Sequence, residues 1–347
     1  MWMMKNNKIK NIVWASDLND NTGEGTLGRL FIKKLLHKKK ERVLIKTPEH
    51  EYVYKKKFKN INLKKKNSLL HKYISPIFAA IYLRVKSGNN QIIYVNYLPL
   101  WNFVIFLILP KKTILGPITG SIFKGKISNF NFFIRAYIFP LFIKISLIII
   151  KKKFRNIFFS TDLLKSKVKK NNTKYLFNFV FCYFTKNFSK YKKKENKKKY
   201  KFLFYNKDHI TKKNLSLITF LKKLSEQHKI YIIGDNIKYT NFFNFGYLKK
   251  KKINAILKNT EYVVSSNENI YSMFNIESVN NGATIIYDKK ITDNTKKNYG
   301  FIVPINFECK KINLPKKKDY YQNELSFIQN VNNHKNDFLK LFNNIIF

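Results

Sequence analysis

Cysteine is nearly missing from this chain of 347 residues, and negative charge is scarce. The two thiols, Cys182 and Cys309, lie far apart with no second Cys or His at ligand spacing, which excludes a zinc module and a disulfide scaffold. They read as ordinary buried thiols of a reducing, cytoplasmic compartment. The six histidines form no ligand pattern, so no metal and no other cofactor is expected. A secretory leader is not expected in this stretch: MWMMKNNKIKNIVWAS has no long apolar core before a small-residue cleavage site and reads as a first strand.

Uninterrupted membrane-length runs are lacking too. Pro99 to Leu109 is apolar but too short to span, and Phe130 to Ile150 is interrupted by Arg135, Pro140 and Lys144. Two readings of these segments stand. They are buried or half-buried helices of a first domain, or they dock at a bilayer surface, with Phe132, Phe133, Tyr137, Phe139 and Phe142 inserting.

Against 20 acidic residues stand 68 basic ones, a formal net charge of +48. Such an excess points to nucleic acid or to an anionic membrane surface. The lysines are spread along the whole chain, together with abundant Asn, Ile and Phe, and no nucleic-acid-binding motif is satisfied. A nucleic-acid partner is therefore not expected, and peripheral contact with anionic lipid at the inner face of the cell membrane is the favoured use of the charge. A basic nucleic-acid-binding protein is kept as a competing class, to be recognised by steep salt dependence.

The length exceeds what one core sustains, so two domains are expected, and apolar strands alternating with helical patterns predict α/β architecture. Lys8 to Ser16 is the first strand, followed by the loop DLNDNTGEG (Asp17 to Gly25) and a helix from Thr26 to about Lys38. Gly23 and Gly25 are placed to let backbone approach a phosphate at that helix N-terminus, or serve the turn alone; the pattern is not a GxGxxG fingerprint. Strands are expected over Arg42 to Thr47, Gln91 to Leu98, Lys112 to Ile118 and Asn156 to Ser160, with a helix over Asn67 to Lys86. Gly116 to Ser121 (GPITGS) reads as a tight turn, and Ser160 or Thr161 as the cap of a short helix to about Lys169.

From Thr185 to Lys201 the apolar pattern disappears into a charged run, which reads as a linker. The expected organisation is a first domain over 1–185, a linker over 186–200, a second domain over 201–330 and a terminal helix over 331–347. The second domain is expected to hold strands at Lys201 to Tyr205, Lys229 to Asp235, Phe242 to Tyr247, Ala283 to Tyr287 and Phe301 to Pro304. Helices are expected from Leu215 to Gln227, from Lys249 to Lys258 and over the tail from Asp337 to Phe347.

The densest chemistry lies in YVVSSNENIYSMFNIESVNNG, Tyr262 to Gly282. A buried parallel strand runs through Tyr262, Val263 and Val264 into a polar turn, and a helix from Ile270 to Asn281 closes at Gly282. Glu268 and Glu277 thus flank a strand-to-helix turn, the place where α/β sheets bind ligands. Read without further context, the pair is a helix charge partner and a solvated helix residue.

The stretch SSNENIYSMFNIESVNNG resembles the donor-sugar motif of family 4 glycosyltransferases. The resemblance implies the GT-B fold, two Rossmann-like α/β domains facing a cleft. It implies a glycosyltransferase moving a sugar, with retention, from a nucleotide-sugar donor to a hydroxyl of a lipid-linked or polysaccharide acceptor. Glu277 matches the glutamate that grips the ribose. Glu268, displaced by one place, takes the sugar contact, with Asn269, which occupies the usual position, as its rival. By the same resemblance Lys207, with Lys212 or Lys213, clamps the donor pyrophosphate, and the catalytic assignment falls to Glu268, Lys207 and Lys212. Gly246, Tyr247 and Leu248 line the nucleobase pocket, Gly23 and Gly25 face the donor phosphates, GPITGS faces the acceptor, and the terminal helix crosses back to the first domain. Two departures, the displaced first glutamate and the lack of a histidine after GPITGS, keep open a catalytically inactive partner subunit of the same shape.

Overall fold

The computed structural model describes residues 10–19, 22–36, 42–54, 58, 69–96, 98–119, 133–161, 164–165, 167–168, 174–177, 179–180, 198–207, 215–265, 272–289, 302–309, 312, 314, 335–336, 339–340 and 342. The chain divides into two compact units, Met1–Phe179 with Phe338–Phe347, and Val180–Asp337.

In the first unit β1 (Asn11–Ala15) is buried along its whole length, as its branched and aromatic run demands of a central parallel strand. With β2 (Val43–Lys46), β3 (Glu51–Tyr54), β4 (Gln91–Val95), β5 (Ile114–Ile118), β6 (Asn156–Phe159) and β7 (Lys174–Leu176) it forms a seven-stranded sheet ordered β3-β2-β1-β4-β5-β6-β7. Neighbours are parallel except β3, which returns antiparallel along β2. The strand order reverses between β1 and β4.

Three helices cover one face: α2 (Leu69–Val85), α3 (Phe103–Ile108) and α4 (Phe139–Lys153), the last entered through a π-helical turn at Ile134–Ile138. Their Leu83, Phe106 and Ile150 pack with Trp14, Tyr94 and Phe159 in one core. The side chains that alternate with these point to the other face. There Phe158 meets Phe31 of α1 (Gly23–Leu35) edge-on at 5.0 Å and Phe342 at 5.4 Å. The segment Phe338–Phe347 therefore belongs to the first unit, with a helical turn at 339–340.

The second unit is a six-stranded, fully parallel sheet ordered β10-β9-β8-β11-β12-β13. Its strands are β8 (Tyr200–Asn206), β9 (Ile230–Gly234), β10 (Phe242–Asn244), β11 (Thr260–Val264), β12 (Thr284–Asp288) and β13 (Ile302–Ile305). Helix α5 (Leu215–Ser225) buries Phe220 and Leu224 on one face against Phe202, Phe204 and Ile232. On the other, α6 (Lys250–Lys258) and α7 (Met273–Asn280) bring Leu257, Ile253 and Phe274 to Leu203, Ile233 and Val263. Both units are thus doubly wound α/β sheets of Rossmann type, the class the alternation of patterns predicts.

Several local expectations are corrected. Helix α1 begins at Gly23, because Thr22 caps it by accepting from the Gly25 N–H at 2.9 Å. Gly116 and Pro117 are buried strand residues of β5 and not a turn. A Cβ on Gly116 would lie 2.5 Å from the Phe158 carbonyl oxygen, so that glycine serves strand packing. Of the stretch expected as a short helix after Thr161, residues 164–165 and 167–168 form turns around Leu164, and the rest lies outside the described residues. Strands β3 and β7 are additions to the expected set. Phe139 stacks on Trp101 at 5.2 Å and Phe142 meets Phe103 at 5.5 Å, so these rings are half-buried, whereas Phe133 and Tyr137 are exposed; Phe132 lies outside the described residues.

Candidate functional site

In a doubly wound sheet the strand order reverses at one point, and the helices leaving there on opposite faces open a crevice at the carboxyl ends of the strands. The second unit reverses between β8 and β11. Residues just after those two strands are therefore the first to consider. Lys207 follows β8 directly and is exposed. Ser265 follows β11 and is buried, with Glu268 and Asn269 coming next in the chain; those two, like Lys212 and Lys213, lie outside the described residues.

The carboxyl edge of this sheet is tied together by hydrogen bonds. Asn206 donates its side-chain amide to the Asp235 carbonyl at 2.8 Å, and the Asp235 N–H returns to the Asn206 carbonyl at 3.0 Å. Tyr247 donates its hydroxyl to Asp235 Oδ1 at 2.7 Å, and the Gly234 N–H reaches the Gly246 carbonyl at 2.9 Å. Gly246 and Tyr247 are in this way fixed beside the end of β8, one residue from Lys207. Gly246 has φ of +66° and open space where a Cβ would sit, while the Tyr247 ring is 67% exposed. Burial first, and then the Asp235 carboxylate, raise the Tyr205 phenol above its ordinary pKa, so it stays protonated while its ring stacks on Phe274 of α7 at 4.9 Å.

Helix α7 is positioned by its cap. Ser272 accepts from the Asn275 N–H at 3.2 Å, and the buried Asn275 amide donates to Ser265 Oγ at 2.7 Å, which ties the first turn of α7 to the end of β11. At the other end Gly282, with φ of +82°, lets the chain leave the helix as its position after Asn281 predicts. Glu277 projects from the middle of α7 to Lys250, the first residue of α6, at 2.8 Å. The Glu277 side chain is 18% exposed and that of Lys250 60%. A half-shielded carboxylate thus stands at the helix pair bordering the strand ends, held by an ammonium that water can replace.

The first unit has a crevice of its own between β1 and β4. Asn96, just after β4 and with φ of +39°, donates its amide to the Asp17 carbonyl at 2.7 Å and the Glu24 carbonyl at 2.8 Å. Asp17 accepts from the Asn19 N–H at 2.7 Å and from the Thr22 hydroxyl at 2.5 Å. Gly25, expected either to let backbone approach a phosphate or to serve the turn alone, is buried under this loop: a Cβ there would fall 2.0 Å from the Asn19 carbonyl oxygen, and its N–H is held by Thr22. Gly23, the first residue of α1, is exposed.

No protein-family model matches the sequence, and neither does any curated protein. The solved structures similar to the chain include the following three. One is Anabaena Alr3699/HepE in complex with UDP and glucose, at 10% identity and TM-score 0.49, covering 97% of this chain and 98% of that one. Another is a putative UDP-N-acetylglucosamine 2-epimerase from Listeria monocytogenes, at 10% identity and TM-score 0.49, covering 94% and 90%. The third is an alpha-glucosyltransferase in complex with UDP-glucose and DNA containing an abasic site, at 11% identity and TM-score 0.40, covering 96% and 92%. With such identities and TM-scores, the functional assignment of this chain rests on its own residues and topology.

Of the residues that the sequence resemblance singles out, Lys207 follows β8, Gly246 and Tyr247 follow β10, and Glu277 lies on α7. Sequence reasoning passed over Asp235, Asn206 and Lys250. A Gly-Asp pair closing a strand was visible for the first. Lys250 sits inside the run Lys249 to Lys252, where nothing in the sequence sets one lysine apart. Among the described residues no group of three His, Cys, Asp or Glu side chains could hold a metal ion.

Proposed function

We propose that the chain is a nucleotide-sugar-dependent glycosyltransferase of family 4 type, transferring a sugar with retention to a hydroxyl of a lipid-linked or polysaccharide acceptor. The observation that supports this reading is the place of the stretch resembling the donor motif: it follows β11 at the reversal point of the second sheet, and Glu277, which matches the ribose-gripping glutamate, stands on the helix that follows. On this reading the nucleotide ribose takes the Glu277 carboxylate in exchange for Lys250. The base lies by Gly246 and Tyr247, and the diphosphate faces Lys207 and the N-terminal turn of α7. Glu268, with Asn269 as its rival, holds the sugar.

Departure of a nucleoside diphosphate develops negative charge on the leaving oxygens. Lysine ammonium groups and helix N–H groups aimed at that charge lower the barrier without taking a proton. Lys207, with Lys212 or Lys213, supplies the ammonium. Replacing Lys207 by alanine is expected to lower turnover about tenfold or more, because it acts on charge that forms in the transition state. Stability should move by no more than about 0.5 kcal/mol, since the side chain is exposed. Arginine at the same position should restore part of the rate, by supplying charge in a different donor geometry.

The assay that tests the function is release of nucleoside diphosphate by the full chain from a panel of nucleotide sugars. Consumption of one donor, diminished in the Lys207→Ala variant, supports a transferase. Tight nucleotide binding without consumption of any donor, in water or with glycan and lipid-linked acceptors, would instead indicate the inactive partner subunit.

A further inference from the structure

The three helices on the first sheet face each bury one side, and their opposite sides emerge together. On α2 the buried Ala79, Ala80 and Leu83 lie opposite Ile74, Phe78, Ile81 and Val85, which recur at helical spacing and are 37–76% exposed. Phe78 and Val85 alone are 63% and 76% exposed. On α3, Val104 and Leu107 are exposed while Ile105 and Phe106 are in the core. On α4 and the turn before it, Tyr137, Leu141 and Ile148 are exposed, and Leu147 and Ile150 are buried.

The three helices form one layer. Arg84 of α2 donates to the Ile108 carbonyl at 3.0 Å, and Lys153 of α4 donates to the Phe106 carbonyl at 2.9 Å, which fastens α3 to both neighbours. Because all three inner sides pack on the same sheet face, the exposed apolar stripes share one outer surface. Ten of the fourteen exposed large hydrophobic residues among the described ones lie on this layer. Isolated exposed apolar residues are ordinary; an apolar surface shared by three neighbouring helices marks a contact site.

The charge around it is predominantly of one sign, with Glu51 of β3 reaching α2 by accepting from the Tyr82 hydroxyl at 3.0 Å. Between Glu51 and Asp162 the sequence has no Asp or Glu and has twenty Lys and Arg. Each of these helices leads into a parallel strand, β4, β5 or β6, so their C-termini all reach the same sheet edge. There Arg84 and Lys86, Lys111 and Lys112, and Lys151 to Lys153 form a basic rim. Burial, and then the charges of Arg84 and Lys111, lower the Lys153 pKa, a sign that cations crowd this rim. Lys144 sits on the outer side of α4, with a stem long enough to carry its charge to the water boundary. Cations at helix C-termini also suit the helix dipole, but that accounts neither for the missing acids nor for the apolar stripes.

We infer that the outer surface of α2, α3 and α4 docks on an anionic phospholipid bilayer, with the apolar stripes in the head-group boundary and the basic rim on lipid phosphates. An apolar surface edged chiefly by cations complements such an interface. A second copy of the chain would bring an identical basic rim and be repelled by it. No described helix is long and apolar enough to cross a membrane, so the contact is made by helices lying along the surface. The inference concerns the first unit and is independent of the function proposed for the second.

The full chain should co-sediment with vesicles of phosphatidylcholine plus phosphatidylglycerol and not with phosphatidylcholine alone. Added salt should weaken binding without abolishing it, since screening acts on the rim and not on buried apolar area. Phe78→Glu combined with Leu141→Glu should lower partitioning about tenfold or more, by placing charge on the inserted surface. Tyr239→Glu with Phe243→Glu, the same charge change at exposed aromatic sites of the second unit, should leave it within about twofold. Melting curves report folding, and Val85→Ser with Leu107→Ser provides a milder pair should the glutamates unfold the chain. Three outcomes would each overturn the inference. They are absence of vesicle binding at every salt concentration, equal loss in both glutamate pairs, and a wild-type dimer that the helix-layer variants turn into a monomer.

Discussion

Replacing Glu277 by alanine is expected to weaken nucleotide affinity by about a hundredfold or more while leaving the fold intact. A carboxylate that accepts from two ribose hydroxyls makes two charge-assisted hydrogen bonds of about 1.5–3 kcal/mol each, and about 2.8 kcal/mol is a factor of a hundred. Its pairing with Lys250 contributes far less. That ion pair has an ammonium 60% exposed, and such pairs are worth roughly 0–1 kcal/mol to stability. Titration calorimetry with nucleoside diphosphates gives the affinity, and a thermal melt gives the stability. The variant Lys250→Ala separates the two roles. If Glu277 serves the ribose, Lys250→Ala retains nucleotide affinity; if Glu277 serves only to hold Lys250, the two variants lose affinity alike.

The largest expected loss of stability comes from Gly234→Ala, at about 3 kcal/mol or more. Gly234 closes β9 with φ of +101°, and a Cβ there would lie 2.0 Å from the carbonyl oxygen of Asn206. The obstruction is backbone of the adjacent strand, which cannot swing aside as a side-chain tip can. Relief would have to separate β8 from β9 at the point where Asn206, Asp235 and Tyr247 are bonded together. Gly246→Ala is the internal comparison. Its φ of +66° is left-handed too, but no atom lies within 4 Å of the new Cβ, so it should cost about 1–2 kcal/mol. Denaturant melts that rank Gly246→Ala as equal to or worse than Gly234→Ala would contradict this account of the strand ends.

The order of elements was legible because both sheets are buried and, apart from β3, parallel, so their strands appear as branched apolar runs such as Asn11–Ala15 and Thr260–Val264. Strand β3, Glu51–Tyr54, was not: it lies at the sheet edge with Glu51 and Val53 exposed, and its alternation is too short to stand out. The start of α1 was misplaced because glycine is a poor helix former, whereas Thr22 caps the chain just before Gly23 and Gly25. The same reading placed Gly116 in a turn, although the backbone of β6 explains it as a strand residue. In the candidate site, Glu277 was singled out by its place after a strand and turn together with the resemblance of the stretch around it. Asp235 depends on Tyr247 and Asn206, brought beside it by the strand order, and Lys250 acquires a partner only when α6 and α7 pack together.

The measurement that tests the central claim most directly is the structure of the full chain with its nucleoside diphosphate bound. The ribose hydroxyls should lie about 3 Å from the Glu277 carboxylate, with the Lys250 contact broken and the diphosphate against Lys207 and the first turn of α7. A nucleotide held at the β1/β4 crevice of the first unit would contradict the assignment. So would a nucleotide bound in the second unit with the pair between Lys250 and Glu277 still at 2.8 Å.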